Sequence, residues 1–543
     1  MKTPESFRLI DKPTFFGALG LLLAVTVPLF VFPVQGAERV LLAKNFITEN
    51  LGFLYLAMGV GAGAFMLFIA FSDIGQILLG DPDEEPEFST ASWAAMLFCA
   101  GIGASILYWG TIEWAYYYQA PPFQVEGQSA EAARWAAAYG IFHWGPLAWS
   151  IYLIPALPIA YFFYVRKRPV LKISEALLPV LGEHHAHGKT GKLIDVLFVF
   201  GMLGGAATSL GLAGPLINEG AHELFGAPIG IRSQIVVLLL CTAIFGASAY
   251  AGLKKGIQTL SRINLWLALI LLAFVFFAGP TVFMANTGID SLGRVLSNLV
   301  HMATWIEPFG RFDNFEDTQF PQDWTIFYWA WWLVFAPSVG LFIARISRGR
   351  TIRAMIVGSI SFGTLGCFLF FMVLGNFGLY LQLSGELDVV RILNTESPTA
   401  AIFAIFNMLP MRYFVIGTYT LLALIFTATS FDSISYILAS VVQKELVDDE
   451  PMRWNRLFWA FALSIMPIAL LLLGGLATLQ AASIVAGTPL LIVALLLCIA
   501  MVKAARFDLR YQPDYARDEI HIEEFPDEDP WSDEGSWDTE NRS

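Results

Sequence analysis

The feature that most constrains this chain is the recurrence of long apolar runs separated by short polar loops, among them residues 17–32, 52–71, 235–251 and 265–278. Each is near the ~20 residues an α-helix needs to cross hydrocarbon, or reaches that length with its flanks. In lipid only helices and closed barrels satisfy the backbone, and the period-two alternation of barrel strands is absent. The pattern predicts an all-α membrane protein of twelve transmembrane helices. Their centres fall near Leu23, Gly61, Ile106, Ile151, Gly205, Cys241, Leu271, Val334, Leu369, Leu424, Ile468 and Leu495. The first run contains Pro28 and Pro33 and lacks a small-residue cleavage site, so it reads as a span and not a signal peptide. Composition agrees: 14% of residues are charged, against roughly a quarter in soluble proteins.

Basic residues follow the even-numbered spans: Arg166, Lys167, Arg168 and Lys172; Lys254 and Lys255; Arg345, Arg348, Arg350 and Arg353; Lys444, Arg453 and Arg456. By the positive-inside rule these loops and both termini are cytoplasmic, in a multi-pass protein of the cell inner (plasma) membrane. The loop at 81–87 disagrees, being acidic with no Lys or Arg, but acidic residues count little in that rule. Much of the net charge of −13 sits after residue 503, where thirteen Asp/Glu face four Arg. That stretch reads as a disordered tail. Nothing is basic enough for a nucleic-acid partner. Cys99, Cys241, Cys367 and Cys498 lie in apolar segments with neither metal nor disulfide spacing.

Three segments read as interfacial: 173–187, the amphipathic 291–306 on the outer face, and 400–409. Gly and Pro interrupt the third span at 99–105 and the eighth at 336–340. Broken helices at matching positions of two halves point to a transporter binding site; packing through small residues is the plainer reading.

Aromatic residues gather in the third, fourth and eighth spans. Trp149 and Tyr152 share a helical face. Trp144 lies about 140° off it, and joins them only if the helix is distorted at Gly145-Pro146. Such rings suit a quaternary ammonium, which has charge but no N–H donor and is held by ring faces at ~0.5–2 kcal/mol per contact. An interfacial belt accounts for Trp109, Trp305, Trp324 and Trp454, but poorly for Trp144, Trp149, Trp331 and Trp332, which lie inside their spans.

At these residues the chain resembles the betaine/choline/carnitine transporter family. The matching stretches are 86–93 (Pro-Glu-Phe-Ser-Thr-Ala-Ser-Trp), 142–146 (Phe-His-Trp-Gly-Pro), 327–332 (Phe-Tyr-Trp-Ala-Trp-Trp) and 344–351 (Ala-Arg-Ile-Ser-Arg-Gly-Arg-Thr). The similarity runs from about Phe15 to Ala505. Glu113 with Tyr116-Tyr117-Tyr118, residues 181–184 and 474–476 look most like the carnitine/γ-butyrobetaine antiporter. The resemblance implies a leucine-transporter-type fold of inverted five-helix repeats preceded by two extra spans, and a homotrimer. It divides the chain into an N-terminal tail (1–14), two peripheral spans with a loop (15–90), a first repeat (91–286), an outer helix and loop (287–320), a second repeat (321–505) and the acidic tail (506–543).

The resemblance places the substrate cage on Trp144, Trp149, Tyr152, Trp331 and Trp332, with Tyr116 as a further substrate tyrosine. Phe335 stands where the family often has Trp or Tyr. A sodium site of the coupled members maps onto the backbone of Cys99 and Ile102 and the hydroxyls of Thr429 and Ser430. Those hydroxyls can equally bond back to their own helix. The antiporter's fixed arginine is replaced by Asn264 and its substrate-site methionine by Val339. The cation site therefore looks sodium-competent on a carnitine-like scaffold, and sodium symport leads over sodium-independent exchange, with Na⁺ as the coupling ion. Residues 101–105 depart from the usual sodium-betaine pattern and lack the Asp that choline carriers tend to have there. A membrane-embedded sensor that binds such ligands without moving them is the reading from another class; no enzyme constellation of nucleophile, base and orienter falls together. His184, His185 and His187 read as loop decoration and not a metal site. Asp432 reads as structural, with a proton carrier as the alternative. An acidic tail is repelled by anionic lipid, so weak or no tail-mediated osmotic activation is expected.

Overall fold

The computed structural model describes residues 8–81, 84–100, 103–168, 172–251, 254–310, 312–446, 450–473, 476–511, 520 and 522. Within these, side chains are described except at 98–100, 245, 247–251, 254–262 and 476. The principal helices are α1 (Lys12–Val31), α2 (Pro33–Phe71), α3 (Thr90–Ala100), α4 (Ala104–Gln119), α5 (Ala130–His143), α6 (Pro146–Ala160) and α7 (Lys189–Phe225). There follow α8 (Ile231–Ala251), α9 (Lys254–Ala278), α10 (Thr281–Thr304), α11 (Ile326–Ile346), α12 (Ile352–Phe370), α13 (Arg412–Val441), α14 (Arg453–Leu473) and α15 (Leu476–Leu509). Among the described residues backbone pairing outside helices is confined to isolated bridges, such as Ile10 with Gln443.

Each of the twelve expected centres falls within one of these helices. Among the described residues nine helices are long and apolar enough to cross a membrane, and α9 with α10 forms a further pair bent by 111°. The remaining two centres lie in the α3–α4 stretch, which is interrupted before Ala104, and in α8. The bend after α9 falls at Gly279-Pro280. The helix beyond it starts at Thr281, ten residues earlier than the amphipathic pattern indicated. Val282, Ile289, Leu292, Leu296 and Val300 form its exposed face, while Met284, Ser291, Val295 and Met302 turn inward.

Charged contacts gather the chain ends and several loops on one face of the bundle. Lys172 meets Asp11 at 2.6 Å, Lys167 meets Asp81 at 2.7 Å, Arg348 meets Glu84 at 2.6 Å and Arg166 meets Asp508 at 2.6 Å. The acidic 81–87 loop, anomalous by charge count alone, is thus the partner of the basic loops. The Asp81 carboxyl is held below the usual range, first by its hydrogen bond to Lys167. The expected start of the disordered tail also shifts. The last helix runs on to Leu509, and Ile520 is buried against the chain, its N–H donating to Gln76 O at 3.0 Å.

The expected break in the eighth span is absent. Helix α11 runs through Pro337, and Ser338 Oγ donates to Phe335 O at 2.9 Å. The small residues there serve packing instead. A Cβ added to Gly340 would lie 3.0 Å from Ala156 N and 3.1 Å from Tyr152 O, so the α6 and α11 backbones touch at this point. Backbone atoms cannot swing aside as a side-chain tip can. Gly340→Ala is therefore expected to destabilise the protein by about 1–3 kcal/mol despite alanine's higher helix propensity, read as a lowered thermal unfolding midpoint in detergent. An unchanged or raised midpoint would refute the close approach.

Candidate functional site

The site begins where the fourth span breaks. Helix α5 ends at His143, Trp144 leaves the helical conformation (φ −106°, ψ 12°), and α6 restarts with Pro146 at its first turn. Proline suits a helix start because its missing N–H is not needed there. Gly145 is required by contact: a Cβ would lie 2.6 Å from Ile141 O. The break swings the Trp144 indole toward α11, as the sequence had made conditional on a distortion here.

Three tryptophans and a tyrosine then converge. Trp144 meets Trp331 at 5.8 Å and Trp332 at 5.1 Å between ring centroids, both edge-to-face, and Tyr152 meets Trp332 at 4.6 Å. Trp331 in turn sits 6.1 Å from Phe335. Edge-to-face packing leaves ring faces free for a cation. These five residues line a cavity of about 1050 Å³, which also touches Gly103, Ser105, Ser209, Leu265, Val339, Thr429 and Ser430. It continues to Glu87, Arg345 and Glu450 on the face that carries the charged loop contacts. On the opposite side packed rings stand above the chamber: Trp109 with Trp324 at 5.7 Å, Tyr117 with Trp324 at 4.8 Å and Tyr139 with Phe320 at 4.9 Å. Trp109 and Trp324, expected in an interfacial belt, are instead buried within this packing.

Two expected cage residues lie away from the cavity wall. Trp149 is fully buried behind Tyr152, its indole seated on Gly363 of α12. Tyr116 packs on Trp109 and Trp324 above the chamber. Asn264 is buried next to the cavity-lining Leu265, and its Oδ1 has no partner among the described residues. Of the expected cation ligands, Ile102 lies outside the described residues, and Cys99 is described only as backbone of α3. Thr429 Oγ1 donates to Ile425 O at 3.2 Å and Phe426 O at 3.1 Å, the back-bonded arrangement, which leaves its lone pairs free. The Cβ position of Gly103 is 3.5 Å from Ser430 Oγ, so the chain just after the α3 break abuts the α13 hydroxyls. Uncharged hydroxyl and carbonyl oxygens of this kind fit a hard alkali cation. Among the described residues no cluster of His, Cys, Asp or Glu would hold a transition metal, and His187 pairs with Glu175 at 2.7 Å.

The sequence reading used Glu113 only as a mark of resemblance, yet it is the best-connected polar group near the chamber. Its carboxylate accepts from Tyr117 Oη, from Tyr328 Oη at 2.7 Å and from Trp144 Nε1 at 3.3 Å. An ionisable residue inside a span is a functional candidate by default, and that signal would have found it. Asp432, by contrast, is ion-paired with Arg456 on the cavity wall, and that guanidinium also lies over Tyr436. Removing one partner of a buried pair costs about 3–5 kcal/mol, because the other charge is left uncompensated, whereas removing both costs far less. Arg456→Met should therefore lower the thermal unfolding midpoint sharply, and Asp432→Asn/Arg456→Met should restore most of the loss. A double variant as unstable as the single one would refute the structural role.

The chain was compared with known proteins. The model of the BCCT, betaine/carnitine/choline family transporter, matches residues 13–510. The glycine betaine transporter OpuD of Bacillus subtilis (strain 168) is 39% identical over 459 residues, 84% of this chain and 87% of that protein. The uncharacterized transporter YeaV of Escherichia coli (strain K12) is 34% identical over 463 residues, 85% of this chain and 92% of that one. Among solved structures, a Na⁺-coupled sialic acid symporter in a substrate-bound outward-open state aligns at TM-score 0.40 and 14% identity, covering 85% of this chain and 83% of that one. On the family match over residues 13–510 and the two relatives, together with the apolar helices and the tryptophan chamber, the chain belongs to the betaine/carnitine/choline family of membrane transporters.

Proposed function

We propose that this transporter is a sodium-coupled symporter of a quaternary-ammonium compound, glycine betaine first, working by alternating access. The observation that carries the reading is one cavity lined by both Trp144, Trp331 and Trp332 and the hydroxyls of Thr429 and Ser430. An alkali ion would there lie beside the guest, where the substrate's own carboxylate can bridge the two positive charges and let each favour the other's binding. Glycine betaine leads because a relative 39% identical bears that name. The two inverted repeats, the homotrimer, the inner-membrane location and the cytoplasmic termini belong to the same reading. The cavity extends to Glu87, Arg345 and Glu450 beside the charged loops; with that face cytoplasmic, as this reading has it, the conformation is inward-facing.

One Na⁺ crossing ~100 mV supplies ~2.3 kcal/mol, enough for nearly two decades of accumulation at ~1.4 kcal/mol per decade. Uptake of glycine betaine by proteoliposomes is expected to require an inward sodium gradient. Thr429→Ala/Ser430→Ala should raise the sodium concentration for half-maximal uptake by roughly tenfold or more, the loss of one or two ligating oxygens. Equal uptake with and without sodium would sink symport and favour exchange of substrate for product. Substrate binding with neither uptake nor counterflow would favour a sensor.

A further inference from the structure

The guest's ammonium head sits among the rings, and the described wall nearest them offers only neutral groups. A carboxylate stands one ring behind it. We propose that Glu113 is the counter-charge of the substrate's quaternary ammonium, acting through the Trp144 indole and setting the preference for a charged over a neutral head group. The inference rests on the proposed quaternary-ammonium substrate and deepens it.

Glu113 is fully buried, and no lysine or arginine among the described residues reaches it; the nearest basic group is His143 Nδ1 at 3.7 Å from Oε1. All the hydrogen bonds around Glu113 are satisfied when its carboxyl is ionised, the state the proposal assigns it beside a bound cation. Tyr117 commits its single hydroxyl proton to Glu113 Oε1, so its oxygen accepts from His143 Nδ1–H at 2.9 Å. His143 Nε2 is then free to accept from the Thr325 hydroxyl at 3.1 Å. The assigned tautomer is a neutral imidazole. On the other oxygen, Tyr328 and Trp144 both donate. In this state every hydrogen bond to the carboxylate is supplied from outside, which offsets part of the cost of burying the charge. The cluster of Glu113, Tyr117, His143, Thr325, Tyr328 and Trp144 in this state carries one negative charge with no cation of its own. A buried, uncompensated charge is costly, and a cation seated on the far side of the Trp144 ring relieves it. The anion also hydrogen-bonds the indole N–H, and this polarises the ring toward the chamber and strengthens its attraction for positive charge.

The test compares two probes on the purified full-length protein by calorimetric titration: glycine betaine and the tert-butylacetate anion, which has the same shape with a neutral head. The ratio of their affinities is read within each variant and is insensitive to the folded fraction. Glu113→Gln keeps the shape and should lower the betaine preference roughly tenfold or more, as expected for a unit charge removed several ångströms from the guest. Its affinity for tert-butylacetate should hold or rise. Glu113→Asp, which keeps the charge, should retain most of the preference. Should Glu113→Gln not fold, Tyr117→Phe/Tyr328→Phe strips two donors, favours the neutral acid and should lower the ratio likewise. An unchanged ratio, or equal loss for both probes, overturns the inference and leaves the transport reading standing. A wild-type protein that binds neither betaine nor any other quaternary ammonium overturns both.

Discussion

Backbone can leave its helix at membrane depth only where protein covers the groups it frees, and residues 143–146 are such a place. Gly145 is pressed against Ile141 O, Pro146 needs no N–H partner, and Trp144 N–H still reaches Gly140 O at 3.1 Å. An unbroken helix would hold the Trp144 indole well away from the Tyr152 face. The break turns it into the space between α6 and α11. The other wall is α11 itself, held against α6 by the backbone contact at Gly340. Chamber shape follows from these two local facts, and the proposed preference for a donor-less cation rests on the rings.

Much of this was legible in the sequence. Apolar run length located the spans because lipid imposes it, and the twelve expected centres all fall in helices. The Gly-Pro pair marked the bend that brings Trp144 in. Individual rings were harder to place. Trp149 carries the right residue type on the right helix, yet its indole fills the notch left by Gly363, a partner 214 positions along the chain. Which of two faces a tryptophan uses depends on such distant small residues, and period alone does not encode them.

Pro337 illustrates the same limit. Proline within an apolar run suggested unwinding, but α11 stays helical around it, and the small residues beside it seat a neighbouring backbone. The acidic 81–87 loop looked anomalous because charge counting treats loops singly; in three dimensions its carboxylates meet Lys167 and Arg348. Glu113 was passed over for a related reason. One carboxylate among aromatic residues has no motif, and its meaning lies in donors drawn from α4, Trp144 and α11.

The central claim is that a methylated cation sits among the Trp144, Trp331 and Trp332 rings. The most direct measurement is anomalous scattering from crystals grown with the arsonium analogue of glycine betaine, whose arsenic marks the position of the charged centre. The account predicts one dominant arsenic peak in van der Waals contact with the three indoles. A dominant peak elsewhere, on the lipid-facing surface or beside the Asp432–Arg456 pair, would contradict it.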